Sequence, residues 1–192
     1  MKSVFYLCAL LSLLGASACA SKAQTAEPPI ITSATYQHTL YNGKAQPIAV
    51  AAAKDHIPPF IVTYFTSEEN LERDAGGSVE PPTEVGDYYA RIERPSGNGY
   101  KRGENIKVEY HIQKAFISFT ADSVQRFTHD GEPKEAAAHT APPVELSVTY
   151  FSIDGESLAS PPVEKGRYRV VLVFSGNKHY IGASKEIELW IE

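Results

Sequence analysis

Apolar and polar residues alternate in four stretches of this chain, and the stretches come in two pairs. Tyr88, Ala90 and Ile92 share one parity, while Tyr89, Arg91 and Glu93 share the other. Ile106, Val108, Tyr110 and Ile112 form a second run. The pair recurs as Tyr168, Val170, Leu172 and Phe174, then Ile187, Leu189 and Ile191. A period of two with one apolar face marks a half-buried strand. Helical spacing is scarce. Ser67 to Asp74 and Glu132 to His139 could each form one short turn, but neither carries an apolar stripe long enough to anchor a core helix. The expected class is all-β.

The pairing of strands extends to the residues between them. Tyr41-Asn42-Gly43-Lys44 is followed at a distance by His129-Asp130-Gly131-Glu132, and Val62-Thr63-Tyr64-Phe65 by Val148-Thr149-Tyr150-Phe151. Pro81-Pro82-Thr83-Glu84-Val85-Gly86 answers Pro161-Pro162-Val163-Glu164-Lys165-Gly166. Tyr88 and Tyr168 stand two residues past each glycine, and Tyr100 and Tyr180 fourteen past. Landmarks in one order at similar gaps point to a duplicated unit. Asn-Gly and Asp-Gly suit the positive φ angles of type I′ hairpins. Each Pro-Pro pair lacks two amide donors, so it belongs at a strand edge or in a loop. The expected fold is two tandem immunoglobulin-like β-sandwich domains, with a β-grasp arrangement as the alternative if Ser67 to Asp74 is a helix packed on a sheet.

The N-terminus changes the setting. Lys2 precedes an apolar run from Val4 to Leu14, too short to span a bilayer, and small residues lead to Cys19. Leu13 to Cys19 resembles a bacterial lipoprotein box, with Ala16 where most such boxes carry Leu. Ala16-Ser17-Ala18 is also an A-x-A site for ordinary signal peptidase. The only other cysteine, Cys8, leaves with the leader, so the mature chain forms no internal disulfide. Lipidation accounts for the lone Cys19; an intermolecular disulfide is the competing account. The expected organisation is a signal peptide over 1–18, a lipid-anchored tether over 19–30, one repeat over 31–115 and a second over 116–192. The junction falls at Gln113-Lys114-Ala115. Loss of Lys2 with the leader leaves 17 basic against 23 acidic side chains, a net charge of −6. That argues against nucleic acid as a principal partner.

The residues Tyr41, Gly43 and Lys44, Val62 to Tyr64, Pro81 to Tyr88, Asn98 and Tyr100, and Ile112 to Ala115 resemble the MBG-type repeat of bacterial surface proteins. The likeness covers nearly the whole mature chain, twice. Copy two departs from it at His129 and Glu132, and it ends without the Lys-Ala junction. The resemblance implies an extracytoplasmic immunoglobulin-like repeat used in adhesins, with no catalytic residues. It cannot name a ligand.

Candidate chemistry is sparse. His38, His56, His111, His129, His139 and His179 form no metal-ligand spacing, so neither a metal nor a cofactor is expected. No nucleophile elbow or phosphate loop appears. Glu84 and Glu164 recur, and each is read as an edge-of-strand carboxylate accepting local donors rather than an acid–base pair. Gly86, Tyr88, Gly166 and Tyr168 are read as structural, each tyrosine as a tyrosine corner. Tyr100 and Tyr180 are expected to pack in the hairpins that hold them. Val171, Val173 and Trp190 point away from the core where copy one has Arg91, Glu93 and His111. If the last two strands are neighbours, these three form one outward apolar patch. It is a candidate partner surface, with interdomain packing and simple scatter as the alternatives.

The functional expectation is a non-enzymatic cell-envelope lipoprotein at the outer membrane or cell surface, tied to the membrane through Cys19 and binding a protein or glycan. A structural spacer or assembly subunit is the alternative, and a hydrolase ranks last. On location, a soluble periplasmic or secreted protein is the alternative.

Overall fold

A computed structural model describes residues 31–52, 60–97 and 99–192. Cys19, the leader, the tether, His56 and Asn98 lie outside the described residues. The first half contains β1 (Ile31–Thr32), β2 (Tyr36–Leu40), β3 (Ala51–Ala52), β4 (Ile61–Phe65), α1 (Glu68–Arg73), β5 (Gly86–Glu93) and β6 (Ile106–Gln113). The second contains β7 (Ser118–Thr120), β8 (Val124–Phe127), β9 (His139–Ala141), β10 (Ser147–Phe151), β11 (Ser157–Leu158), β12 (Gly166–Phe174) and β13 (Ala183–Ile191). The four alternating stretches are β5, β6, β12 and β13. No helix among the described residues is long and apolar enough to cross a membrane.

Among the described residues, each half forms two sheets. The larger sheets run β2-β6-β5-β4 and β8-β13-β12-β10-β11, and the smaller pair β1 with β3 and β7 with β9. The two halves therefore share one topology, with β11 as the addition. In both, the long antiparallel pair is central, and a short strand joins the last strand in parallel: β2 along β6, β8 along β13. None of these sheets mixes strands of the two halves.

The alternation explains the burial. Tyr64, Ala90, Ile92, Val108, Tyr110 and Ile112 point inward with Ile31 and Ile48 to make one core. Tyr150, Val170, Leu172, Ile187, Leu189 and Ile191 make the other, closed by Phe119, Ala121, Ala136 and Ala138 from the smaller layer. Each fully buried aliphatic side chain contributes about 1.5–3 kcal/mol. Polar ties join the layers at matching places. Ile48 N–H donates to Tyr64 Oη at 3.1 Å, and Ala136 N–H to Tyr150 Oη at 3.0 Å. Gln37 forms a two-way amide pair with the backbone of Ala49, and Gln125 does the same with Ala137. The second proline of each pair offers its carbonyl across the layers, Pro82 to Gln46 N–H and Pro162 to Lys134 N–H.

Two expectations need correction. Asn42-Gly43 and Asp130-Gly131 are not type I′ hairpins. Only the glycines have positive φ, 73° and 84°. Asn42 and Asp130 instead accept the amides of Lys44 and Glu132 on their side chains, at 2.9 Å each. The turn carries the chain from one layer to the other, because the preceding strand pairs in parallel and needs no hairpin. Residues 67–74 are more than a turn. Ser67 caps α1 by accepting Asn70 N–H, Asp74 ends it in the left-handed region, and Leu71 is buried. The helix lies on the outer face of the first large sheet, against β4 and β5. The β1–β3 layer still closes the inner face, so the architecture is a sandwich and not a β-grasp. The 132–139 segment is not helical.

Candidate functional site

The recurring Gly-x-Tyr motif is a tyrosine corner in both units. Tyr88 Oη donates to the Glu84 carbonyl at 3.0 Å, and Tyr168 Oη to the Glu164 carbonyl at 2.9 Å. Each bond folds the loop before the strand back onto its own ring. Gly86 fits beneath that ring: a Cβ there would meet Tyr88 Oη at 3.3 Å. Gly166 occupies the matching place under Tyr168, with slightly more room. Burial pushes the Tyr88 hydroxyl up, helped by the nearby Glu84 charge. Such corners belong to immunoglobulin-like sandwiches, and they place Gly86, Tyr88, Gly166 and Tyr168 at a structural station.

Val171, Val173 and Trp190 lie on one face, the outer face of the second large sheet. Strand register divides them. Trp190 stands between Arg126 and Arg167, one from each flanking strand, with both guanidinium carbons 3.9 Å from its ring. Its indole N–H donates to Glu188 at 2.7 Å. Next along the sheet come Glu188, Arg169 and Phe151, with Arg169 over the Phe151 ring at 4.3 Å. Only then follow Val171, between Glu186 and Thr149, and Val173, between Ser184 and Ser147. The single patch expected from the sequence is thus two features separated by a charged row. Alternation gives the face of a residue, but only pairing gives its neighbours.

The same face in the first unit is built differently. Its row matching Arg126–Trp190–Arg167 is His38–His111–Asp87. There Asp87 bonds His111 Nδ1 at 2.7 Å, and the Tyr36 ring rests 4.9 Å from the imidazole. Phe65, matching Phe151, is 1% exposed. Arg91 lies over its ring and reaches Asp74 at the end of α1. The second unit has a hairpin turn at 152–156 in place of this roof, closed by Ser152 and Glu156, and Ile153 at its tip is 77% exposed.

A third cluster is not foreseeable from the sequence. The hairpin between β12 and β13 reaches back to the first unit. His179 stacks on Tyr41, with centroids 4.2 Å apart and planes within 2°, and Tyr180 meets Tyr41 edge-on at 5.6 Å. Glu84 receives Lys178 Nζ at 2.5 Å and His179 Nε2 at 2.9 Å. Hydrogen bonds from His179 and Lys178 hold the Glu84 carboxyl down at about 2. Glu84 therefore accepts donors at a strand entrance, but from the other unit and not from its own loop. Tyr180 sits in its hairpin by backbone, through Asn177 N–H to its carbonyl at 3.0 Å, while its ring serves the junction. Tyr100 stays in its own hairpin, bonded to Gly97. The one available signal was Lys178-His179 standing where copy one has Gly99 alone.

No family model matches the chain, and no curated protein matches it. Among solved structures it is similar to a three-Ig fragment of titin, with 12% identity over 85% of this chain and 65% of that one and a TM-score of 0.28. It is similar to Drosophila N-cadherin at 10% identity over 86% and 50%, with a TM-score of 0.29. It is similar to the insect immune protein hemolin at 13% identity over 86% and 46%, with a TM-score of 0.30. The chain spans less than two thirds of each of these structures. Likeness at this level assigns no function.

Proposed function

We propose that the mature chain is a non-enzymatic cell-envelope lipoprotein that presents the outer sheet face of its second unit to a protein or glycan partner. The observation that carries this reading is the contrast between the two outer faces. In the first unit α1 roofs the face and Phe65 is buried. In the second no helix among the described residues covers the face, and half-buried Phe151, Val171 and Val173 lie along it with the Arg126–Trp190–Arg167 stack. A hollow of about 210 Å³ between the Ser152–Gly155 turn and Arg167, Arg169, Glu186 and Glu188 adds hydrogen-bonding groups beside the aromatic ones. Aromatic and arginine side chains are the types that dominate binding hot spots. The MBG-type resemblance supports a surface role, and the lipoprotein-like leader supports attachment through Cys19 at the outer membrane or cell surface.

A photo-crosslinking residue at position 171, with one at Lys107 as a control on the first unit, tests the surface in intact cells. Adducts confined to position 171 are expected. Equal labelling at both, or none at 171, would remove the second unit's face from the account. Replacing Cys19 by Ala should release the protein from the membrane fraction; an unchanged distribution would remove the anchor.

The spacer reading has its own support in the junction. A charge pair, an aromatic stack and backbone hydrogen bonds oppose free motion between the units. A protein that only sets a distance would need this junction and no open face, so the crosslinking result also separates the two readings.

A further inference from the structure

The last residue of the linker belongs mechanically to the second unit. Ala115 N–H donates to the His179 carbonyl at 2.9 Å, and Ile181 N–H donates to the Ala115 carbonyl at 2.9 Å. At the other end Gln113 is held to the first unit, its carbonyl accepting Tyr41 N–H at 2.8 Å. Lys114 is left between these two fixed points. Two side chains of the first unit, Tyr41 and Glu84, then meet the 175–182 hairpin and close the remaining angle.

These contacts are interdependent. Glu84 Oε2 takes both Lys178 and His179, and His179 is the ring stacked on Tyr41. Removing the negative charge therefore weakens the Lys178 ion pair and the His179 hydrogen bond together, and releases the imidazole from the orientation that suits the stack. The hairpin itself is stiff. Gly176 has a φ of 86°, and a Cβ there would lie 2.8 Å from Gly182 N, so the two arms cross too closely for any side chain.

We propose that the 175–182 hairpin is a charge-keyed latch: with Glu84 ionised it holds the two units in one orientation, and with Glu84 neutral it lets them hinge about Lys114. The titratable groups around Glu84 are Lys178, His179 and Tyr180 from the hairpin, Tyr41 from the turn after β2, and Tyr88 from β5. The carboxyl is depressed from 4.5 to about 2, first by the His179 bond and then by Lys178. A depressed carboxylate contributes in its ionised form. Its contribution is complete above its ordinary range and fades as pH falls from there toward 2. Glu84 is half exposed and Lys178 more so, so salt also screens the pair. The latch need only bias two arrangements of units that are each already folded. Glu164 is the built-in control, since it holds the matching place in the second unit and makes no ion pair among the described residues.

The test uses the mature chain from Cys19 onward, with Cys19→Ser and spin labels on Lys107→Cys and Lys165→Cys. Pulsed dipolar spectroscopy should give one narrow distance at neutral pH. Titration toward pH 2 should lose that peak while near-ultraviolet circular dichroism persists. Glu84→Gln should lose it already at neutral pH, and Glu164→Gln should keep it. The proposal is overturned by a Glu84→Gln distribution as narrow as the parent's, or by equal broadening in Glu164→Gln. It is also overturned if the parent stays narrow until the circular dichroism itself is lost. Should Glu84→Gln not fold, the parent's titration alone decides between these outcomes.

Discussion

His179 lies flat against Tyr41, ring to ring at 4.2 Å, although the two residues belong to different β units. The relationship shows how the chain handles its short linker: the second unit contributes a hairpin, and the first contributes a surface for it. A double-mutant cycle on Tyr41→Ala and His179→Ala, read by thermal unfolding, should give a coupling of about 0.5–1.5 kcal/mol, as for other aromatic pairs. Strict additivity would mean that the stack holds nothing.

The tyrosine corners should count in both units. Tyr88→Phe and Tyr168→Phe each remove the hydroxyl that satisfies the carbonyl of Glu84 or Glu164. Each should lower stability by about 1 kcal/mol in urea unfolding with little change in the slope. An effect in only one unit would show that the two corners are not equivalent.

Much of this was legible in the sequence. Alternation in β5, β6, β12 and β13 gave the long strands and their inward residues, because a period of two maps directly onto the two sides of a sheet. The Pro-Pro and Gly-x-Tyr landmarks gave the loop and the corner. The Asn-Gly and Asp-Gly turns misled because the dipeptide signals a positive φ at glycine without saying which strands it joins. The separation of Trp190 from Val171 was hidden, since parity does not give register. The Glu84–His179 contact was hidden for a different reason: Lys178-His179 in place of Gly99 marks the second hairpin as different, but local sequence does not say which residue of the other unit it meets. Gln37 and Gln125 went unnoticed because a glutamine in a strand looks like ordinary surface until its backbone partner is seen.

Those two glutamines make a further prediction. Gln37→Ala should strip a two-way amide pair from Ala49, and Gln125→Ala the same from Ala137. Each pair joins the smaller layer to the larger sheet at an exposed edge. The expected loss is roughly 1–2 kcal/mol per variant, with hydrogen exchange rising first at Ala49 or Ala137. Unchanged exchange at those amides would contradict the stapling role.

High pH should loosen the first unit in a specific way. Burial pushes the Tyr110 hydroxyl up to about 12, and burial also raises Tyr64 against a smaller opposing effect of its bond from Ile48. A raised phenol favours the neutral form in the fold. Its contribution is whole below the ordinary value of 10 and is lost as pH climbs from there toward 12. The second unit has Leu189 where the first has Tyr110. Spectroscopic titration should therefore show alkaline unfolding of the first unit that Tyr110→Phe shifts to higher pH. Identical alkaline limbs in the parent and the variant would contradict the assignment.

Each unit closes its own core, and among the described residues the two meet at the junction and the linker. Leu189→Ala is the decisive probe of that independence, because Leu189 is fully buried at the centre of the second core. The substitution should destabilise the second unit by about 2–5 kcal/mol. Residue-resolved hydrogen exchange should then show faster global opening for core amides of β12 and β13, while those of β5 and β6 keep their protection. Equal loss of protection in both halves would mean one shared cooperative core and would contradict the account.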